Sequence, residues 1–239
     1  MSNVKTALGD GLENYPNSPQ YDQQCKIILS DKQILARIMK TCIPEYKDCT
    51  FNEIIQCIEK NPKLNVELPT YDLITGRNTE DTSIPGAMIR YDILFTAMAP
   101  NKDEEIEMFI NIEAQNKDNP GYPLVERGLY YCSRLISRQK NSTDGFQNSE
   151  YGKLKKVYSI WICMNSSEKK SGTINSYSVS EKNLYGRWKE NPDNYDLFNV
   201  IMIYPAKAYD LQNSLNIKEY QLMEMLRVLF TTNMDFIDK

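Results

Sequence analysis

Histidine is absent from this 239-residue chain. That zero removes Ser-His-Asp and Cys-His catalysis, histidine-ligated zinc and any imidazole general base. Chemistry would have to come from carboxylates, lysines, tyrosines or a metal ion. Also lacking is a C-x-x-C pair among the six cysteines (Cys25, Cys42, Cys49, Cys57, Cys132, Cys163), so this spacing does not predict zinc. The six are read as buried, reduced thiols. No apolar run approaches the ~20 residues of a membrane helix, and no basic segment followed by a long apolar run opens the chain. A cytoplasmic protein with no membrane partner is expected. With 28 Lys and Arg against 32 Asp and Glu, the formal net charge is −4. A nucleic-acid role would therefore need a local basic face.

What is present is an ordinary globular composition, long enough for one sizeable core. Residues 1–24 are polar and turn-rich, with Gly9, Gly11, Pro16 and Pro19, and read as a flexible N-terminal arm ahead of a single domain over 25–239. Ser30 or Asp31 caps a helix whose apolar stripe is Ile34, Leu35, Ile38, Met39 and Cys42, with Pro44 beyond its end. Thr50-Phe51-Asn52-Glu53 reads as a capping box opening a short helix. Strands are predicted over 88–99 and 106–115, and the polar, Pro100-containing segment between them makes them an antiparallel hairpin. A helix over 122–139, a strand over 157–164, a Ser/Asn/Lys-rich loop near 165–183, a strand over 197–204 and a helix over 218–230 complete the chain. This order predicts an α/β fold, a mixed central sheet flanked by helices.

On the second strand the side chains alternate. Met108, Ile110, Ile112 and Ala114 go one way; Asn111, Glu113 and Gln115 go the other. Such a polar face is costly if buried without partners. The first strand carries a lone acid, Asp92, amid Ile93, Leu94 and Phe95, where propensity disfavours it. In a hairpin Asp92 and Glu113 come within reach of one hard cation. Mg²⁺ suits such a site, with the Ala114 carbonyl as a further oxygen and Gln115 to orient water. The plainer alternative is a pair of solvated or salt-bridged strand acids.

On the following helix, Val125, Leu129, Cys132 and Ile136 form an apolar stripe. Arg127, Tyr131, Arg134 and Arg138 lie about 200° around the axis. They are expected to face away from the sheet, where arginine forks suit phosphate oxygens. A solvated helix face would look the same.

Several segments in order resemble the PD-(D/E)XK nuclease family transposases, the group that contains the recombination-promoting nucleases. They are Asn78-Thr79-Glu80-Asp81, Arg90-Tyr91-Asp92-Ile93-Leu94-Phe95, Ile110-Asn111-Ile112-Glu113-Ala114-Gln115-Asn116, Pro120-Gly121-Tyr122-Pro123-Leu124, the run 127–137 and the run 156–165. The resemblance spans roughly 25–205. It implies a restriction-endonuclease-like fold whose metal-binding acids are Asp92 and Glu113. It places the motif's usual lysine at Gln115, leaving the general base unassigned; Lys117 is the nearest lysine on that strand. A further acid on an early helix is common in the fold. Glu53 and Glu59 are available, but Glu53 is accounted for as the capping-box partner.

The function expected is a Mg²⁺-dependent DNA endonuclease, with Mn²⁺ as a substitute, linked to mobile elements or recombination. The fold commonly cuts duplexes as a dimer, which leaves room for a homodimer. Two rivals remain: a catalytically silent nucleic-acid- or protein-binding domain of the same fold, and a metal phosphohydrolase of small nucleotides.

Overall fold

A computed structural model describes residues 25–58, 80–81, 89–100, 107–142, 145–206 and 217–230. The N-terminal arm expected over 1–24 and Glu59 lie outside the described residues. A helical turn over 25–29 leads into α1 (Lys32–Cys42). Asp31 caps α1 by accepting from the backbone N–H groups of Gln33 (2.8 Å) and Ile34 (3.2 Å). The helix α2 (Phe51–Cys57) opens with the expected capping box: Thr50 Oγ1 accepts from Glu53 N, and Glu53 accepts from Thr50 N at 2.6 Å. Glu53 is thereby committed to the cap.

The strands are β1 (Glu80–Asp81), β2 (Ile89–Arg90), β3 (Ile93–Met98), β4 (Glu107–Lys117), β5 (Val157–Asn165), β6 (Thr173–Ser178) and β7 (Phe198–Tyr204). The short pair β1–β2 stands apart from a five-stranded sheet of order β3-β4-β5-β7-β6. Its outer pairs, β3–β4 and β7–β6, are antiparallel, while β4, β5 and β7 run parallel. The mixed α/β sheet is therefore as expected, and so is the β3–β4 hairpin.

Two departures have physical causes. The first expected strand is interrupted, because Tyr91 and Asp92 leave the ladder between β2 and β3. The loop expected near 165–183 contains β6, whose side chains are mostly exposed. An edge strand with one neighbour needs no apolar alternation, so it carried no periodic signal.

Period-two alternation divides the sheet between two cores. Tyr158, Ile160 and Ile162 of β5 face α1, α2 and the helix α4 (Ile217–Phe230) together with Ile110, Ile112, Ile201 and Ile203. Val157, Trp161 and Cys163 face the helix α3 (Leu124–Ser137) together with Leu94, Phe109, Val200 and Met202. Each such side chain contributes about 1.5–3 kcal/mol when fully buried. None of the six cysteines is in a disulfide, and four of them are buried. Among the described residues no helix is long and apolar enough to cross a membrane.

The phase of α3 differs from the one its sequence suggested. Leu124, Gly128, Tyr131, Cys132 and Leu135 face the sheet, whereas Leu129 is exposed. The stripe is displaced by one residue, about 100° of rotation. Gly128 explains it: a Cβ there would lie 2.5 Å from Val200 Cγ1 and 3.1 Å from Trp161 Nε1. The helix backbone thus rests directly on β5 and β7. Gly128→Ala gains helix propensity of about 1 kcal/mol but overpacks the contact at a cost of about 1–3 kcal/mol. Net destabilisation is expected, read as a lower melting temperature; a higher one would refute this account of the helix phase.

Candidate active site

Asp92 and Glu113 meet because the β3–β4 register pairs Ile93 with Ile112, which sets Asp92 beside Glu113 just past the end of that ladder. Two backbone hydrogen bonds hold the carboxylates together. The Asp92 N–H donates to Glu113 Oε1 at 3.1 Å, and the Ala114 N–H donates to Asp92 Oδ2 at 3.1 Å. Within a strand the N–H and C=O of one residue leave on the same side. The Ala114 carbonyl therefore projects from the edge of β4 that its N–H turns toward Asp92.

Electrostatically the pair is poised for a cation. Glu113 is 1% exposed. Burial, and then the neighbouring Asp92 charge, push its carboxyl well above the ordinary carboxylate range. The Asp92 N–H, the positive charge of Arg127 and the Asn111 side chain oppose this shift without overcoming it. Asn111 is fully buried on the same face, where its Nδ2 donates to Ser159 Oγ at 3.1 Å, and Trp161 Nε1 donates to the same oxygen at 2.9 Å. Asp92 is more open, with its side chain 17% exposed and its Oδ1 3.0 Å from Lys26 Nζ.

Of the residues expected on the helix, the structure brings two to the acids. Arg127 donates through Nε (3.1 Å) and Nη2 (2.7 Å) to Tyr131 Oη and through Nη1 to Tyr122 Oη (3.3 Å). Its guanidinium lies 5.0 Å from the Tyr131 ring centroid and 5.3 Å from that of Trp161. Tyr131 packs edge-on against Tyr91 at 5.3 Å, and both carboxylates act on its hydroxyl. Burial is the main reason that this hydroxyl titrates above its ordinary value.

The expectation of a solvent-facing Arg127, Tyr131, Arg134 and Arg138 stripe is corrected here. Tyr131 and Arg134 are buried, and Arg134 Nη1 donates to Tyr130 Oη at 3.1 Å. Arg138 is half-buried at the helix C-cap. The rotation imposed by Gly128 turns Tyr131 under the site and takes Arg134 out of solvent. Gln115 is half-buried on the Glu113 face. The side chain of Lys117 lies outside the described residues.

Lys26 was not singled out in the sequence. It sits far upstream beside a polar arm, and no spacing rule joins it to Asp92. Asn111 was placed on the correct face but given no role there.

A family model described as PD-(D/E)XK nuclease family transposase matches residues 101–191. Over that stretch the chain is similar to this nuclease family. The matched stretch holds β4 with Glu113, Ala114 and Gln115, all of α3, β5 and β6; Asp92 and Lys26 lie upstream of it. No curated protein and no solved structure matches the chain. The mixed five-stranded sheet flanked by helices accords with the restriction-endonuclease-like α/β fold of PD-(D/E)XK nucleases. Those nucleases generally use divalent metal ions, and the residues here fit one. Among the described residues no group of three or more His, Cys, Asp or Glu forms a closed cage. Two carboxylates and a carbonyl are hard oxygen donors, and Mg²⁺ characteristically takes one or two carboxylates and keeps waters and phosphate for the rest. The buried Glu113 carboxyl, held beside that of Asp92, is the observation that favours this fit.

Proposed function

We propose that the chain is a metal-dependent DNA endonuclease that hydrolyses phosphodiester bonds, of the kind associated with mobile elements or recombination. The observation that carries this reading is the pair of carboxylates clamped side by side, one of them buried. Asp92 and Glu113 would hold Mg²⁺, or Mn²⁺ in its place, with the Ala114 carbonyl as a further oxygen. When bound, such an ion polarises the phosphodiester and lowers the pKa of a coordinated water. Gln115, on the same face as Glu113, orients the attacking water but cannot take its proton. Arg127, fixed by two tyrosines beside the acids, offers a guanidinium to phosphate oxygens. Burial of Arg134 and Tyr131 leaves Arg127, with Arg138 at the helix end, to hold the strand.

Purified protein is expected to nick or cut DNA with Mg²⁺ or Mn²⁺, and Asp92→Ala to abolish cleavage with the circular-dichroism spectrum unchanged. Equal cleavage by both proteins would defeat the proposal. The silent-module reading draws on Gln115, which supplies no proton acceptor. Salt-sensitive DNA binding without divalent-ion binding in calorimetry would select it.

A further inference from the structure

The ammonium nearest the acids among the described residues comes from the first described turn of the chain. Lys26 Nζ lies 3.0 Å from Asp92 Oδ1, while the Ala114 N–H holds the other Asp92 oxygen. The lysine is not carried on a loose segment. Cys25, Ile28 and Leu29 are buried in the same turn. The Lys26 carbonyl accepts from Ser30 Oγ at 2.6 Å and from Ser30 N at 3.0 Å, which fixes the backbone just ahead of α1. A partly exposed ion pair contributes little to folding stability. With the two side chains 36% and 17% exposed, stability is a weak reason for this contact.

A site for phosphodiester hydrolysis has two demands that such a group meets. The carboxylates must be held in one orientation, and the negative charge gathering on the phosphate needs fixed positive charge nearby. Lys26 is anchored where it can do both. Gln115, on the strand, brings no charge.

We infer that Lys26 is a positioning residue of the Asp92–Glu113 site, fixing the Asp92 carboxylate and supplying the ammonium that faces the scissile phosphate. This rests on the nuclease reading above. As a cation it also opposes any divalent ion on the same carboxylate. Its removal therefore slows cleavage while tightening metal binding, a split that simple structural damage cannot produce.

The experiment compares wild type, Lys26→Ala, Lys26→Arg and the double variant Lys26→Ala/Gln115→Lys in single-turnover cleavage of a DNA duplex. Mn²⁺ binding by calorimetry and thermal unfolding are measured alongside. Lys26→Ala should lower the saturated rate by ~30- to 300-fold, leave the melting temperature within about 2 °C and bind Mn²⁺ more tightly than wild type. Lys26→Arg, which keeps the charge, should recover most of the rate. Gln115→Lys should restore part of it in the Lys26→Ala background, because residue 115 shares the face of Glu113. Wild-type cleavage by Lys26→Ala, an Arg variant as slow as the Ala variant, or weakened Mn²⁺ binding with a lowered melting temperature would each overturn the inference. If wild type and Asp92→Ala prove equally active or equally inert, the nuclease reading has failed. The Mn²⁺ titration then decides the Lys26 contact alone, and unchanged affinity in Lys26→Ala counts against it.

Discussion

Glu113→Gln is expected to make the metal-free protein harder to unfold at alkaline pH while lowering cleavage by on the order of 10³-fold. The stability half follows from proton linkage. Glu113 titrates near the ordinary carboxyl range, about 4.3, in the unfolded chain. In the folded protein burial and Asp92 hold its pKa far higher. Between those two values the native state binds one more proton than the unfolded state, so stability falls as pH rises, by about 1.4 kcal/mol per unit. Below the unfolded value both states are protonated, and no penalty exists. Glutamine never ionises, and its side-chain oxygen still accepts the Asp92 N–H. The advantage of the variant should therefore be near zero at pH 4 and widen steadily through neutrality. Urea melts at several pH values measure it. A difference that shrinks with rising pH, or a variant less stable throughout, would contradict the buried-acid description. Lost activity with gained stability is the pattern of a site that holds strain for its function.

Lys156→Met should produce the largest loss of stability at a position remote in role from the acids, about 2–4 kcal/mol. Lys156 Nζ lies 3.0 Å from Glu45 Oε1 and also pairs with Asp196. Tyr158, itself buried, donates its hydroxyl to Glu45 Oε2 at 2.7 Å. The Lys156 and Glu45 side chains are only 15% and 18% exposed, so methionine would leave the shielded Glu45 carboxylate without its cation, while Asp196, 36% exposed, is partly screened by solvent. The network ties the turn after α1 to the start of β5 and to the loop before β7, joining helical layer and sheet. For a chain of this size the loss corresponds to a melting temperature lower by roughly 4–16 °C. Adding Glu45→Gln and Asp196→Asn in the Lys156→Met background should recover much of it, since the penalty lies in the stranded charges. A loss below about 0.5 kcal/mol in Lys156→Met would show that solvent already screens the cluster.

The parts of the fold legible in the sequence are those with a strong local signal. Asp31 and the Thr50–Glu53 box announced α1 and α2. The alternation 108–115 announced β4, its two faces and, through the hairpin, the partnership of Asp92 with Glu113. The missed features depend on contacts that composition does not encode. Apolarity favoured Val125, Leu129, Cys132 and Ile136 as the buried stripe of α3; Cys132 is buried and Val125 and Ile136 pack partly against the core, but Leu129 is exposed. A glycine seated against Val200 and Trp161 set the phase instead and drew Tyr131 beneath the acids. Asp92 sits in a bend because its carboxylate takes the Ala114 N–H. Lys26 is brought beside Asp92 by the packing of Cys25, Ile28 and Leu29, a tertiary event with no sequence period.

The central claim is that two carboxylates from adjacent chain segments share one divalent ion. A crystal of the protein grown with Mn²⁺ and recorded at the manganese absorption edge tests it without depending on any choice of DNA. The account predicts one strong anomalous peak between the side chains of Asp92 and Glu113, within bonding distance of an oxygen of each, and its loss in Asp92→Ala. A map with no peak there, or with manganese bound only elsewhere, would contradict it.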